Sequence, residues 1–291
     1  MKISKLMTGT LLLTSLVFSA QAVTLNVETF NPKNDSTFPV SSNLISGDNE
    51  AILIDAQFHK KDAEQLVKMI QDSHKQLTTI YISHSDPDYY FGLDTITKAF
   101  PNAKIIATQE TVDAIKATKD GKLAYWGEVL KEDAPETLIV PTALSGTTFT
   151  LEGEEIQIQG LDGKAPERSF LWIPSIQTVM GGVVVSDNIH VWIADTQTPE
   201  SLDAWEETLT LIQSLQPKVV IPGHFVGDST LNLDSVKFTE QYLKDFRAAN
   251  ASSKNSEELI AKMTALYPNL EDASSLEMSA QVIQGEMAWP Q

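Results

Sequence analysis

Ser83-His84-Ser85-Asp86-Pro87-Asp88-Tyr89-Tyr90-Phe91-Gly92 is the stretch on which the reading of this chain turns. It ends the β-branched run Thr78 to Ser83, which reads as a buried strand, and replaces it with a polar, proline-containing loop. α/β proteins place their ligand sites just past the carboxyl ends of such strands. His84, Asp86 and Asp88 recur at every second residue, and Pro87 stiffens the turn between them. Such a loop can aim one imidazole and two carboxylates at one point, as a metal site requires. A short loop after a strand also uses Asp, Ser and Pro for turn chemistry alone, so the triplet by itself leaves both readings open.

Outward from this loop the pattern is regular. Upstream, Thr24 to Phe30, Phe38 to Ser46 and Ala51 to Ala56 are strand-like, with a hairpin-type turn at Gly47-Asp48. Lys60 to Asp72 carries Ala63, Leu66, Val67 and Ile70 at helical spacing. Downstream, helical Leu93 to Phe100, strand Lys104 to Ala107 and helical Gln109 to Lys119 alternate, and helical character resumes around Leu123 to Leu130. Strands are then expected at Thr137 to Val140, Thr147 to Leu151, Glu155 to Gln159, Phe170 to Ile173, Thr178 to Val185 and His190 to Ile193. Pro199 opens a helix over Glu200 to Leu215, and Lys218 to Ile221 is a last strand ending in Pro222-Gly223-His224. The remainder, from Ser235, is helical. Two strand blocks, each followed by helices, predict an α/β fold of two sheets packed face to face with helices outside. No Pro/Ser-rich linker divides residues 23–291, so one domain with a C-terminal helical extension is the simpler reading.

The N-terminus reads as an export signal over residues 1–22. Lys2 and Lys5 precede the mostly apolar Leu6 to Phe18, and Ala20-Gln21-Ala22 supplies a small-x-small cleavage site. The apolar stretch falls short of the roughly 20 residues an anchor helix needs, so periplasmic or secreted protein without a membrane anchor is expected. The chain has no cysteine, which removes disulfides, thiol catalysis and thiolate metal sites. A net charge of −18, dispersed along the chain, argues against nucleic acid, whose phosphates need clustered Lys and Arg. A small-molecule substrate is the expected partner.

Four landmarks in order resemble the metallo-β-lactamase superfamily. Leu53-Ile54-Asp55 resembles its early strand, and His84 to Tyr89 its signature loop H-x-H-x-D-H, here H-x-D-x-D-Y with Asp86 and Tyr89 at the second and third histidine positions. Trp205 to Pro217 resembles the helix leading into its late strand, and Val219 to His224 the strand itself, which ends in a metal-binding Gly-His. The resemblance implies a four-layer αβ/βα sandwich. It also marks departures. The mid-chain histidine is missing around Gly160 to Pro166, where Asp162 is the substitute, and the metal-bridging Gly-Asp falls on Gly181-Gly182 or, in another register, on Ala194-Asp195.

The surviving ligand candidates are His84, Asp86, Asp88 and His224, with Asp162 and Asp195 as further candidates. Two imidazoles and one or two carboxylates suit one divalent ion: zinc first, with iron and manganese also accommodated. The expected activity is that of a metal-dependent hydrolase, with activated water attacking an ester, lactone, amide or related bond. His84, Asp86 and His224 would hold the ion, while Asp88 completes the shell or acts as general base. Alternation places His190 and Trp192 on one strand face, so they and Tyr89 are candidates for the substrate pocket. A catalytically silent binding protein on the same fold, or an iron-dependent redox protein, are the alternatives.

Overall fold

The computed structural model describes residues 23–289; the export signal expected at residues 1–22 lies outside them. Strands Asn26–Phe30 (β1), Ser42–Ser46 (β2), Glu50–Ile54 (β3), Gln76–Ile82 (β4), Lys104–Ala107 (β5) and Thr142–Ala143 (β6) form one sheet in sequence order. It is antiparallel from β1 to β3 and parallel from β3 to β6. Helices Lys60–Asp72 (α1), Pro87–Tyr90 (α2), Leu93–Ala99 (α3) and Gln109–Leu130 (α4) lie among these strands in the chain. The second sheet comprises Thr148–Leu151 (β7), Glu154–Gln159 (β8), Phe170–Ile173 (β9) and Thr178–Met180 (β10). Ser186–Asp187 (β11) stands apart from it, while Val219–Val220 (β12) completes it beside β10. His224–Phe225 (β13) pairs in parallel with β11. Helices Pro199–Ser214 (α5), Leu233–Ala251 (α6), Ser256–Leu266 (α7) and Ala273–Ile283 (α8) make up the rest.

Each sheet buries both faces, and the two-residue period of the strands decides which side chain goes where. On β3, Ile52 and Ile54 face the other sheet while Leu53 faces the helices; on β4, Tyr81 points inward and Ile80 and Ile82 outward. On β9, Leu171 and Ile173 meet that inner layer, and Phe170 and Trp172 turn to the opposite helices. Ala63, Leu66 and Ile70 of α1, with Leu93 and Ile96 of α3, cover the first sheet. Trp205, Leu209 and Ile212 of α5, with Tyr242 and Phe246 of α6, cover the second. The result is the expected αβ/βα sandwich, and it explains the near-continuous apolar runs in β3 and β9.

Several expected elements differ. Thr137 to Val140 is irregular, and the pairing with β5 is made instead by Thr142–Ala143. Thr178 to Val185 stops as a strand at Met180, because Gly181 and Gly182 take φ of +74° and +75°. A Cβ on Gly182 would stand 2.2 Å from the Ser169 carbonyl oxygen, so the turn admits no side chain there. His190 to Ile193 is unpaired as a strand, with all but the half-buried Trp192 buried and its backbone held in part by His190 N–H donating to Glu271 O at 2.9 Å. The two helical stretches expected after β5 are one continuous helix, α4, capped by the Thr108 hydroxyl accepting from Thr111 N–H.

One clamp joins the sheets at the end that carries the site. Asp55, just past β3, accepts from Ser83 N–H (2.7 Å) and from Ser83 Oγ–H (2.6 Å). Ser83 Oγ in turn accepts from Gly182 N–H at 2.7 Å, past β10 of the other sheet. Burial pushes the Asp55 carboxyl up to about 7, in spite of the two Ser83 bonds. The folded chain therefore holds this proton to about pH 7, whereas an unfolded chain releases it near 3.8. Stability from this group is complete below 3.8 and is lost as pH rises through about 7. In urea unfolding followed against pH, the wild type is expected to lose roughly 4 kcal/mol across that window, and Asp55→Asn to lack this fall. An equal fall in Asp55→Asn would remove Asp55 as its source.

Candidate active-site cleft

The loop after β4 delivers its side chains because Pro87 starts a helix at once. α2 is only four residues long, all four buried. Its backbone is tied to the segment after β3 by Ala56 N–H donating to Tyr89 O (2.8 Å) and Gly92 N–H to Gln57 O (2.9 Å). Asp88 is thereby fixed at the floor of a cleft, where its Oδ2 lies 2.7 Å from His224 Nε2. His224 is positioned by β13, paired opposite Ser186 of β11. Burial acts to lower the His224 pKa, but the hydrogen bond and charge of Asp88 outweigh it and raise it above the ordinary 6.5. The contact favours the imidazolium form of His224 beside Asp88.

A second charged group lies beside the first. Asp86 Oδ2 is 3.3 Å from His84 Nδ1, and Lys122 of α4 donates from Nζ to Asp86 Oδ1 (2.9 Å) and to Ser85 O (3.0 Å). Burial acts to raise the Asp86 pKa, yet His84 and Lys122 hold it below the usual carboxylate range. Between the two groups stands Tyr89, fully buried. Its ring is edge-on to His84 at 5.3 Å and to His224 at 5.6 Å, centroid to centroid. Its hydroxyl is 3.3 Å from His224 Nδ1 and 3.4 Å from Gly182 O; burial keeps the phenol protonated. Behind the cleft, buried Arg168 donates to Val183 O (3.1 Å) and Thr196 Oγ1 (2.6 Å), with its guanidinium 3.6 Å from the centre of the Trp205 ring.

The cleft, a cavity of about 90 Å³, lies between the loop after β4, α4 and the segment 189–195. Of the residues anticipated from sequence, Asp86, Asp88, His224, His190, Trp192 and Asp195 line it. His190 is nevertheless buried and 3.0 Å from Tyr242 Oη, so its role is more structural than expected. Asp195 accepts from the indoles of Trp192 and Trp289. Tyr89 lies behind the floor and does not line the cleft. Asp162 is in a different hollow, against α5, and is not brought to the site. Sequence reasoning missed Lys122, Arg168 and the rings of Tyr125, Trp126 and Trp289. Lys122, Tyr125 and Trp126 do carry a signal, because their i, i+3, i+4 spacing puts them on one helix face.

A resident zinc or iron ion is ordinarily held by three or more converging protein donors. Among the described residues, no group of three or more His, Asp or Glu gathers around a point that could hold one. His84, Asp86, Asp88 and His224 come to one place, but in two pairs with Tyr89 between the imidazoles, and an ammonium already occupies Asp86. The residues present do not fit a resident ion.

Residues 35–224 match the model of the metallo-beta-lactamase superfamily. The chain is 24% identical over 213 residues to a metallo-beta-lactamase type 2 of Bacteroides fragilis, covering 71% of this chain and 77% of that one. It is 29% identical over 102 residues to the uncharacterized protein YobT of Bacillus subtilis (strain 168), covering 35% and 40% of the two chains. Its fold resembles the solved metallo-beta-lactamase from Pontibacter korlensis, with TM-score 0.54 at 18% identity over 77% of this chain and 99% of that one.

Charge competition at Asp86 has a measurable consequence. Wild-type protein purified without chelator is expected to hold well under one equivalent of zinc, iron or manganese by elemental analysis. Lys122→Met, which removes the competing ammonium, is expected to bind zinc at least about tenfold more tightly. One tightly held equivalent in the wild type would contradict this reading of the floor.

Proposed function

The chain belongs to the metallo-beta-lactamase superfamily, and on that premise we propose that it is an exported hydrolase of a small organic molecule, with its chemistry at the Asp88–His224 pair. Most members of the superfamily are hydrolases that bind divalent metals, often zinc; the lineage supplies the reaction class here, and the side chains supply the mechanism. The observation that carries it is the state of Asp88. Its Oδ2 is engaged by His224, while Oδ1 makes no hydrogen bond among the described residues and the residue lines the cleft.

A substrate ester, lactone or amide seated against the floor would place its carbonyl among Asp88, His224 and Lys122. Asp88 Oδ1 takes a proton from the water as its oxygen bonds to the carbonyl carbon, and returns it to the departing oxygen or nitrogen as the acyl–heteroatom bond breaks, while His224 holds the carboxylate in place through Oδ2. The Lys122 ammonium is the donor for charge developing on the carbonyl oxygen. Tyr89, protonated and fixed between the two imidazoles, keeps their orientation. Export rests on the N-terminal signal pattern. A metal-dependent form of the same hydrolysis would call on His84, Asp86, Asp88 and His224, and the Lys122 contact disfavours it.

A second reading, a binding protein that has lost its chemistry, is favoured by one observation: both floor carboxylates that face the cleft already have cationic neighbours. Turnover separates the two. On a panel of fluorogenic esters, lactones and amides, including a β-lactam, Asp88→Asn is expected to lower kcat by about 10²–10⁴-fold with KM little changed. Undiminished turnover in Asp88→Asn would overturn the assignment of Asp88, and a wild type inert toward the whole panel would favour the binding reading.

A further inference from the structure

Four carboxylates line the cleft, Asp86, Asp88, Asp195 and Asp272, and two of them have a cation within hydrogen-bond distance. Asp86 is matched by Lys122 and Asp88 by His224. The hydrogen-bond donors to Asp195 and Asp272, among the described residues, are all uncharged. Asp195 accepts from Trp192 Nε1–H (2.5 Å) and Trp289 Nε1–H (2.7 Å). Asp272 accepts from the hydroxyls of Ser274 (2.8 Å) and Ser275 (2.5 Å) and from Ser275 N–H (3.3 Å). Both carboxylates line the cleft without a cationic hydrogen-bond partner; buried Arg168, behind the cleft, acts on Asp195 only through space.

The wall around Asp195 is aromatic and bent. Phe38 meets Trp126 at 5.1 Å and 81°, and Trp126 meets Tyr125 at 4.9 Å and 86°. Tyr125 meets Trp289 at 6.4 Å and 80°, and Trp289 meets Trp192 at 5.5 Å and 73°. Consecutive rings stand nearly perpendicular, so where one presents an edge the next turns a face. Ring faces are electron-rich and attract cations, most of all those of indoles. Donation of both indole N–H groups to a carboxylate adds electron density to those rings. Behind the cleft the protein makes the same interaction itself, with the Arg168 guanidinium 3.6 Å from the centre of the Trp205 ring. An anionic ligand would find Lys122 at the floor, with two of its three ammonium protons already given to Asp86 and Ser85, and, among the described residues, no cation at the aromatic end. The net charge of −18 favours approach of cations as well.

We propose that the cleft receives a small organic cation, its substituted ammonium group lodged among the Trp192, Trp289 and Tyr125 rings beside Asp195. This names the substrate class of the hydrolase proposed above, and it rests on that reading only for the chemical step after binding. The ammonium group lies at the aromatic end, and the rest of the molecule extends toward Asp88.

Titration of the full chain with three probes of similar size tests it, read by calorimetry and by tryptophan fluorescence. Choline is the cation, 3,3-dimethylbutan-1-ol its neutral isostere and pivalate an anion. Choline is expected to bind at least about tenfold more tightly than the neutral alcohol, and pivalate not to bind measurably. Asp195→Asn is expected to remove most of that preference, and Trp289→Ala to weaken choline binding about tenfold, both with unchanged circular dichroism. Equal or tighter binding of the alcohol or pivalate would overturn the proposal, as would absence of choline binding or an unchanged preference in Asp195→Asn. The titration reads binding and the Asp88→Asn assay reads turnover, so either reading can fail while the other stands.

Discussion

The hydrogen-bonded chain from Asp55 through Ser83 to Gly182 is the constraint that sets the geometry of the site. It joins the ends of β3 and β4 in one sheet to the turn after β10 in the other. At the opposite end Glu152, between β7 and β8, accepts from the N–H groups of Asp48, Asn49 and Glu50, and the apolar layer lies between; non-directional apolar contacts alone do not fix the site end. The clamp also sets where the signature loop begins. Ser83 is its last anchored residue, so His84, Asp86 and Asp88 project from a fixed origin. Glycine is required opposite it: a Cβ on Gly223 would stand 2.3 Å from Gly182 O, and close approach of these two backbones brings His224 to Asp88.

With the frame fixed, charge compensation decides the character of the floor. Buried carboxylates need partners, since an unpaired charge in a low-dielectric site costs several kcal/mol. Relatives in this superfamily typically meet that need with divalent metal ions. In this chain Lys122 and His224 meet it, and Arg168 supplies a further cation behind the cleft. Tyr89 contributes by volume as much as by its hydroxyl, because an aromatic ring between two imidazoles prevents their convergence. The same substitution pattern, Asp86 for one histidine and Tyr89 for another, thus changes both the charge and the shape of the floor.

Much of the fold could be read from residues alone, because β-branched runs and helical spacing are local properties. The two-sheet layering came from the strand blocks, and the ends of β4 and β12 were placed within a residue or two. Thr178 to Val185 and His190 to Ile193 misled for one reason. Both are apolar and β-branched because they are buried, and burial without strand pairing leaves the same composition. The loop residues His84, Asp86, Asp88 and His224 were legible as a set, since their types and their place after strands carry the meaning. Their pairing was not, because it depends on Lys122, which lies 36 residues from Asp86 on a helix whose docking only tertiary packing determines. Asp162 failed in the same way: its residue type suited a ligand, but its loop packs against α5 on another side of the molecule.

The ionic state of His224 is the point on which the floor's chemistry turns, and the nitrogen-15 resonances of its imidazole report that state. Both ring nitrogens are expected to carry protons at pH 6.5 and to remain so above the ordinary histidine range, with the midpoint falling in Asp88→Asn. A neutral tautomer already dominant at pH 6.5, or a ring nitrogen shifted by direct metal coordination, would contradict the imidazolium–carboxylate pair.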